Sequence, residues 1–160
     1  MPALLKMTRA TIAVKVWFLC CSCLVVLSGM LSCGNALHGK EAALTAVDRF
    51  HQHFNDGTVD VLYSAADDEY RQAVSRERSA ATLTAIRQRL GREVSSATPT
   101  TGMTTVNMAT FVTVTEETTF ESGTGTETFV FRVRAPTAFL VSYNVVSKQL
   151  ASGGATSAKL

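Results

Sequence analysis

Three runs of alternating apolar residues lie within residues 106–149, joined by short turns, and they constrain the fold more than any other feature. Val106–Glu116 is dominated by Thr, Val and Phe, which fit a pleated, half-buried surface. In period two, Val106, Met108, Val112 and Val114 fall on one side and Asn107, Thr113 and Thr115 on the other, with Phe111 out of phase. In Thr126–Arg134, Phe129, Phe131 and Val133 alternate with Thr128, Val130, Arg132 and Arg134, so the arginine face meets water. In Ala138–Ser147, Phe139, Val141, Tyr143 and Val145 alternate with Leu140, Ser142, Asn144 and Val146. Ser122-Gly123-Thr124-Gly125 supplies residues that accept positive φ, as hairpins require. At Ala135-Pro136-Thr137 the proline removes a donor and stops pairing. Neither connection can hold the crossover of about a dozen residues that parallel strands need. The stretch is therefore an antiparallel meander, and its apolar face needs a cover.

The cover precedes it. From Glu41, Leu44, Val47, Phe50 (or His51) and Phe54 recur at spacings of three and four. They predict a helix of about 15 residues with one apolar stripe. Asn55-Asp56-Gly57 ends it, with Gly57 suited to a left-handed cap. Thr58 can cap a second helix with Val59, Leu62, Tyr63 and Ala66 on one face. The acidic run Asp67-Asp68-Glu69 then falls where a helix C-terminus would be, which the helix dipole disfavours, so a break or fraying is expected. Ser75 can cap a third helix carrying Leu83, Ile86 and Leu90, stopping at Gly91, with Arg87, Arg89 and Arg92 suited to its end. Arg92–Ala97 reads as a fourth strand, and Thr98–Thr105, with Pro99, as a linker. The expected fold is α+β, with N-terminal helices packed on one face of a four-stranded antiparallel meander sheet.

The N-terminus reads differently. Residues 1–15 carry Lys6, Arg9 and Lys15 and no acid, residues 16–31 carry no charge and are mostly apolar, and small or polar Ser32, Cys33, Gly34 and Asn35 follow. This is the pattern of a secretory signal. An uncleaved membrane helix is the alternative, although the uncharged run is a little short of the ~20 residues of a span. With those three basic residues set aside, twelve remain against thirteen acidic, so the formal +2 gives way to near neutrality. A near-neutral body without a basic stripe argues against nucleic acid as a partner.

The four cysteines, Cys20, Cys21, Cys23 and Cys33, all precede the predicted domain, which has no internal disulfide. Met30-Leu31-Ser32-Cys33 resembles the lipobox of bacterial lipoproteins, which implies acylation of Cys33 and a lipid anchor. The absence of Asp after Cys33 implies the outer membrane. The alternative is cleavage after Ala36, within small-x-small Gly34-Asn35-Ala36, and release as a soluble secreted protein. The expected layout is signal peptide 1–32, tether 33–40, domain 41–149 and flexible tail 150–160.

The order of elements resembles the cystatin-like, or nuclear transport factor 2-like, α+β roll, and more narrowly a family of small bacterial envelope proteins with that fold. The residues that carry the resemblance are Ala42–Phe54 with Asn55-Asp56-Gly57, Leu90-Gly91-Arg92, Phe111-Val112-Thr113-Val114, Thr119-Phe120-Glu121 with Gly123, Glu127, and Tyr143-Asn144-Val145. Tyr63 and Phe139 stand near places where such families often carry Trp. The resemblance implies fold and export and no particular activity. Rolls of this kind enclose a space between the first helix and the sheet, where the enzymes among them place an acid or a tyrosine. The candidates for such a pocket are Asp48, His51, Tyr63 and Tyr143, the two tyrosines serving otherwise as core residues with hydroxyls at the rim.

Catalytic motifs are missing. His51 and His53 form H-x-H, which a helix splays too far apart to share a metal. Asp67-Asp68-Glu69 lacks the glycine and spaced oxygens of a calcium loop and reads as a solvated turn. Gly123-Thr124-Gly125 opens no helix and is not a phosphate loop. No catalytic residue, metal or cofactor is therefore expected. The expectation is a lipid-anchored envelope protein with a small binding or assembly domain for an unidentified protein or small ligand. A roll-type enzyme with a pocket between helix one and the sheet is the alternative, and a homodimer through the sheet face or an exposed strand edge is a third reading.

Overall fold

The computed structural model describes residues 32–151 and 157–159, with side chains from Leu37 to Ala151. The export leader falls outside the described residues, as does the side chain of Cys33. The chain divides into two compact units, Met1–Leu37 and His38–Leu160, and the fold set out here is that of the second. It is α+β. Helices α1 (Ser32–Asp56), α2 (Val59–Ala65), α3 (Asp68–Ala73) and α4 (Arg76–Leu90) come first. Strands β1 (Glu93–Ser96), β2 (Thr100–Val106), β3 (Ala109–Phe120), β4 (Gly123–Arg134) and β5 (Thr137–Val146) follow, then α5 (Lys148–Ala151) and β6 (Ser157–Lys159). No helix among the described residues is long and apolar enough to cross a membrane.

The sheet is antiparallel throughout, ordered β1-β3-β4-β5-β6, with β2 also on β3. Among the described residues it has six strands, where four were expected. β1 and β2 share one side of β3 in tandem, β1 opposite Thr118–Phe120 and β2 opposite Ala109–Thr115. The segment expected to be a linker is thus mostly strand, and the run Val106–Glu116 is broken by a hairpin. Asn107 (φ 49°) and Met108 (φ 62°) both take the left-handed conformation that a two-residue hairpin turn of the primed type requires. Asparagine is a known turn signal, but methionine disguised it, and Met108 stands 99% exposed.

A second departure lies in β5. Val130 pairs with Ser142 and Phe131 with Leu140, so Val141 is an extra residue that forms a bulge. The bulge reverses the phase of the strand. Ala138 and Leu140 face the core on one side of it, Tyr143 and Val145 on the other, and Phe139 and Val141 turn outward. Strict alternation across the whole run assigned the first half to the wrong face.

The core lies between the helices and the inner face of β3–β5. Val47, Phe50 and Phe54 of α1 meet Leu83, Ile86 and Leu90 of α4 and Val112, Val114, Phe129, Phe131, Tyr143 and Val145 of the sheet. Phe50 is its centre, with ring centroids 5.1 Å from Phe129 and 4.7 Å from Tyr143. Burying such aromatics contributes roughly 2–3 kcal/mol each. The expected stripe of α1 is confirmed, but the helix is 25 residues long rather than about 15. Residues 35–40 are helical rather than a loose tether. Gly39 is buried, and a Cβ there would lie 3.2 Å from Met103 Cε of β2.

Gly57 (φ 73°) closes α1 in the left-handed conformation, with Thr58 N–H donating to His53 O at 2.9 Å. Gly91 (φ 79°) ends α4, and Ser75 caps its start by accepting from Arg78 N–H at 3.2 Å. Thr58 holds the N-cap position of α2 but makes no cap bond with its side chain, which instead pairs with the His53 ring at 2.8 Å. The expected break at the acidic run is present, and it turns the acids into assets. Asp67 is the N-cap of α3, accepting from Glu69 N–H at 3.0 Å, so Asp68 and Glu69 occupy a helix N-terminus, where the dipole favours negative charge. Asp67 is not solvated. It is 1% exposed, and Arg132 of β4 donates to it at 2.8 Å. The expected tail also gains structure, since Leu150 of α5 is buried and β6 pairs with β5 opposite Asn144–Val146.

Candidate functional site

Two strands each carry a carboxylate in phase with their core residues. Glu116 follows Val112 and Val114 on β3, and Glu127 precedes Phe129 and Phe131 on β4. The register puts Glu116 and Glu127 directly opposite each other on the buried face. Like charges in that relation repel, and both side chains are covered, at 5% and 1% exposed. The arrangement requires a positive or proton-donating group between them.

His51 of α1 supplies it. Its Nε2 lies 2.9 Å from Glu127 Oε2 and 3.5 Å from Glu116 Oε1. Tyr143 of β5 donates to Glu127 Oε1 at 2.6 Å, and Thr118 of β3 donates to Glu127 Oε2 at 2.5 Å. Glu127 is thus fully engaged. Glu116 Oε1 is buried and accepts no hydrogen bond among the described residues.

The electrostatics follow from this crowding. Burial alone would push the His51 imidazole down, but the hydrogen bond and charge of Glu127, with the charges of Glu116 and Glu93, leave it above its ordinary value. Burial raises the Glu116 carboxyl, opposed by His51 and reinforced by Glu127, Asp48 and Glu93. Burial first, then the charge and hydrogen bond of Glu127, hold the Tyr143 phenol well above 10. The site therefore stabilises protonated imidazole and phenol beside negative charge. It could relay a proton or hold a cation.

The four pocket candidates separate. His51 and Tyr143 converge, each through Glu127. Asp48 is exposed and reaches the site only through its field at Glu116. Tyr63 belongs to the helical layer, where its hydroxyl donates to Arg71 O at 3.3 Å and its ring meets Tyr70 and Arg76. The sequence reading missed Glu116 and Glu127 as site residues. The available signal was an acid in the core phase of two consecutive strands.

A separate trough of about 270 Å³ runs between α1, α2 and strands β4–β5. Phe50, Leu62, Phe131, Ala138 and Leu140 form its apolar walls, Arg49 and His53 also line it, and among the described residues no carboxylate does. A larger and more open hollow of about 450 Å³ lies beside Gly57, Arg87, Gly91 and Glu121. Arg87 is already committed there, donating to Asn55 O at 2.6 Å. Comparison of the chain with protein-family models, with curated proteins and with solved structures finds no match.

Proposed function

We propose that this is an exported bacterial envelope protein whose folded domain binds a small, largely apolar ligand in the trough between α1 and the sheet, without turning it over. The trough carries the reading. Apolar walls, two basic groups in the lining and no acid suit a short acyl chain or single aromatic body with a neutral or anionic head. Its volume of about 270 Å³ falls just below the roughly 300–1,000 Å³ of small-molecule pockets, which limits the ligand to a small one. In finer terms the fold is a cystatin-like or nuclear transport factor 2-like roll, a reading supported by one long helix laid on a bulged antiparallel sheet. The N-terminal pattern supports export and anchoring to the outer membrane through acylated Cys33, with release after cleavage at Ala36 as the alternative.

Titration with 1-anilinonaphthalene-8-sulfonate, an apolar body with an anionic head, tests the trough. Saturable fluorescence enhancement is expected for the native protein and loss of it in Ala65→Trp, which fills the trough from α2. Equal binding by both proteins would overturn the assignment. For the anchor, Cys33→Ala is expected to leave the detergent phase and to lose the acyl mass of the processed protein.

A small enzyme of the same roll is the second reading, favoured by the inward His51 joined to Tyr143 through Glu127. Its weakness is spatial, because His51, Glu127 and Tyr143 do not line the trough.

A further inference from the structure

We propose that His51, Glu116 and Glu127 bind a divalent transition-metal ion of the zinc or manganese kind, which clips α1 to strands β3 and β4. The ligand atoms, one from each side chain, all lie within 4.8 Å of one another. Bonds of about 2.0–2.2 Å to nitrogen and oxygen place two ligands of one tetrahedral ion about 3.3 Å apart. The two separations from His51 Nε2, 2.9 and 3.5 Å, straddle that spacing, so small side-chain shifts suffice.

Charge points the same way. Two carboxylates face a single imidazole on a buried face, an excess of negative charge. A dication bound to neutral imidazole and two carboxylates leaves none. Glu116 Oε1, on a residue 95% buried, lacks a hydrogen-bond donor among the described residues and faces His51 Nε2, as a ligand atom would. Behind the ligands, Tyr143 and Thr118 fix Glu127 in place, the role outer hydrogen bonds play in metal sites. One imidazole and two carboxylates suit zinc or manganese. They are too few for calcium, which takes about 6–8 oxygens.

The site is nearly closed, with His51 7%, Glu116 5% and Glu127 1% exposed. That leaves little room for a substrate at the ion, and the fourth position that three protein ligands leave open would go to water. His51 and Glu127 are 76 residues apart in sequence, so the ion would tie the first helix to the sheet across most of the domain. None of these three side chains lines the trough.

The test uses the full chain in detergent, without a polyhistidine tag, stripped with EDTA and titrated calorimetrically with zinc, manganese and calcium chlorides. One zinc or manganese ion per chain is expected, with calcium at least ~100-fold weaker. Glu116→Gln should weaken binding at least ~10-fold, whereas His38→Gln, exposed on the same helix, should bind as the native chain does. X-ray absorption of the zinc form should report one imidazole and oxygen ligands. Failure of the native chain to take up a stoichiometric ion would overturn the proposal, as would unchanged binding by Glu116→Gln. If Glu116→Gln does not fold, the absorption spectrum decides. A sulfur shell, which would come from Cys20, Cys21, Cys23 or Cys33, or more than one imidazole, rules the site out.

Discussion

Replacing Asp67 with alanine is expected to cost the domain about 3 kcal/mol, because three separate supports depend on one buried carboxylate. As the N-cap of α3 it accepts from Glu69 N–H, and loss of such a cap costs about 1 kcal/mol. The bond from Arg132 Nη1, at 2.8 Å, is charge-assisted and mostly shielded, with Arg132 21% exposed, and is worth about 1.5–3 kcal/mol. Arg134 Nη2 lies 3.0 Å from Asp67 Oδ2 but is half exposed, so water screens that pair and it adds little. The Asp67 N–H donates to Leu140 O through the backbone, which alanine retains. Asp67→Asn keeps the cap and the shape and loses only the charge, so about 1–2 kcal/mol is expected. Asp68, exposed and paired among the described residues only with Arg71, is the control, and its alanine variant should stay within ~0.5 kcal/mol of the parent. Urea unfolding followed by far-ultraviolet circular dichroism measures all three, with the m-value expected to be unchanged. If Asp67→Ala unfolds at the same urea concentration as Asp68→Ala, the helical layer is not pinned to β4 through this carboxylate and the reasoning fails.

Tyr143→Phe removes the donor to Glu127 Oε1 and should destabilise by about 1–3 kcal/mol in the same assay. Met108→Gly relieves a left-handed methionine that stands 99% exposed, and should stabilise by about 1 kcal/mol, read as a rise in Tm. The phenols of Tyr70 and Tyr143 are both raised above 10.0 by burial. Their contribution is complete below the unfolded value near 10 and is lost as pH rises through the higher folded values, so stability measured by urea midpoint should fall above about pH 10. Tyr70→Phe should reduce that slope and strand the Ser79 hydroxyl, which lies 2.7 Å from the Tyr70 oxygen.

The α+β class, the order of helices before sheet, the stripe of α1 and the stops at Gly57 and Gly91 were legible because each depends on residues close in sequence. The bulge at Val141 was not. Nothing in Leu-Val-Ser-Tyr distinguishes a continuous strand from one that slips by a residue, and only the pairing with Val130 and Phe131 fixes it. The turn at Asn107-Met108 was hidden by an apolar residue in a conformation that glycine usually fills. Asp67 looked solvated because Arg132 and Arg134 lie 65 or more residues away and reach it only after β4 is in place. The His51 cluster was half legible: the histidine stood out, while its two acids declared themselves only when β3 and β4 were aligned.

Strand β2 has consequences beyond this domain. Its seven residues, Thr-Thr-Gly-Met-Thr-Thr-Val, carry no charge, and among the described residues it pairs only with β3. Its far side therefore presents a short ladder of free amide and carbonyl groups with no lysine to repel a copy. At high expression levels such a border serves as a template on which further chains can zip. A single lysine in place of Thr104 would act as a gatekeeper against that growth.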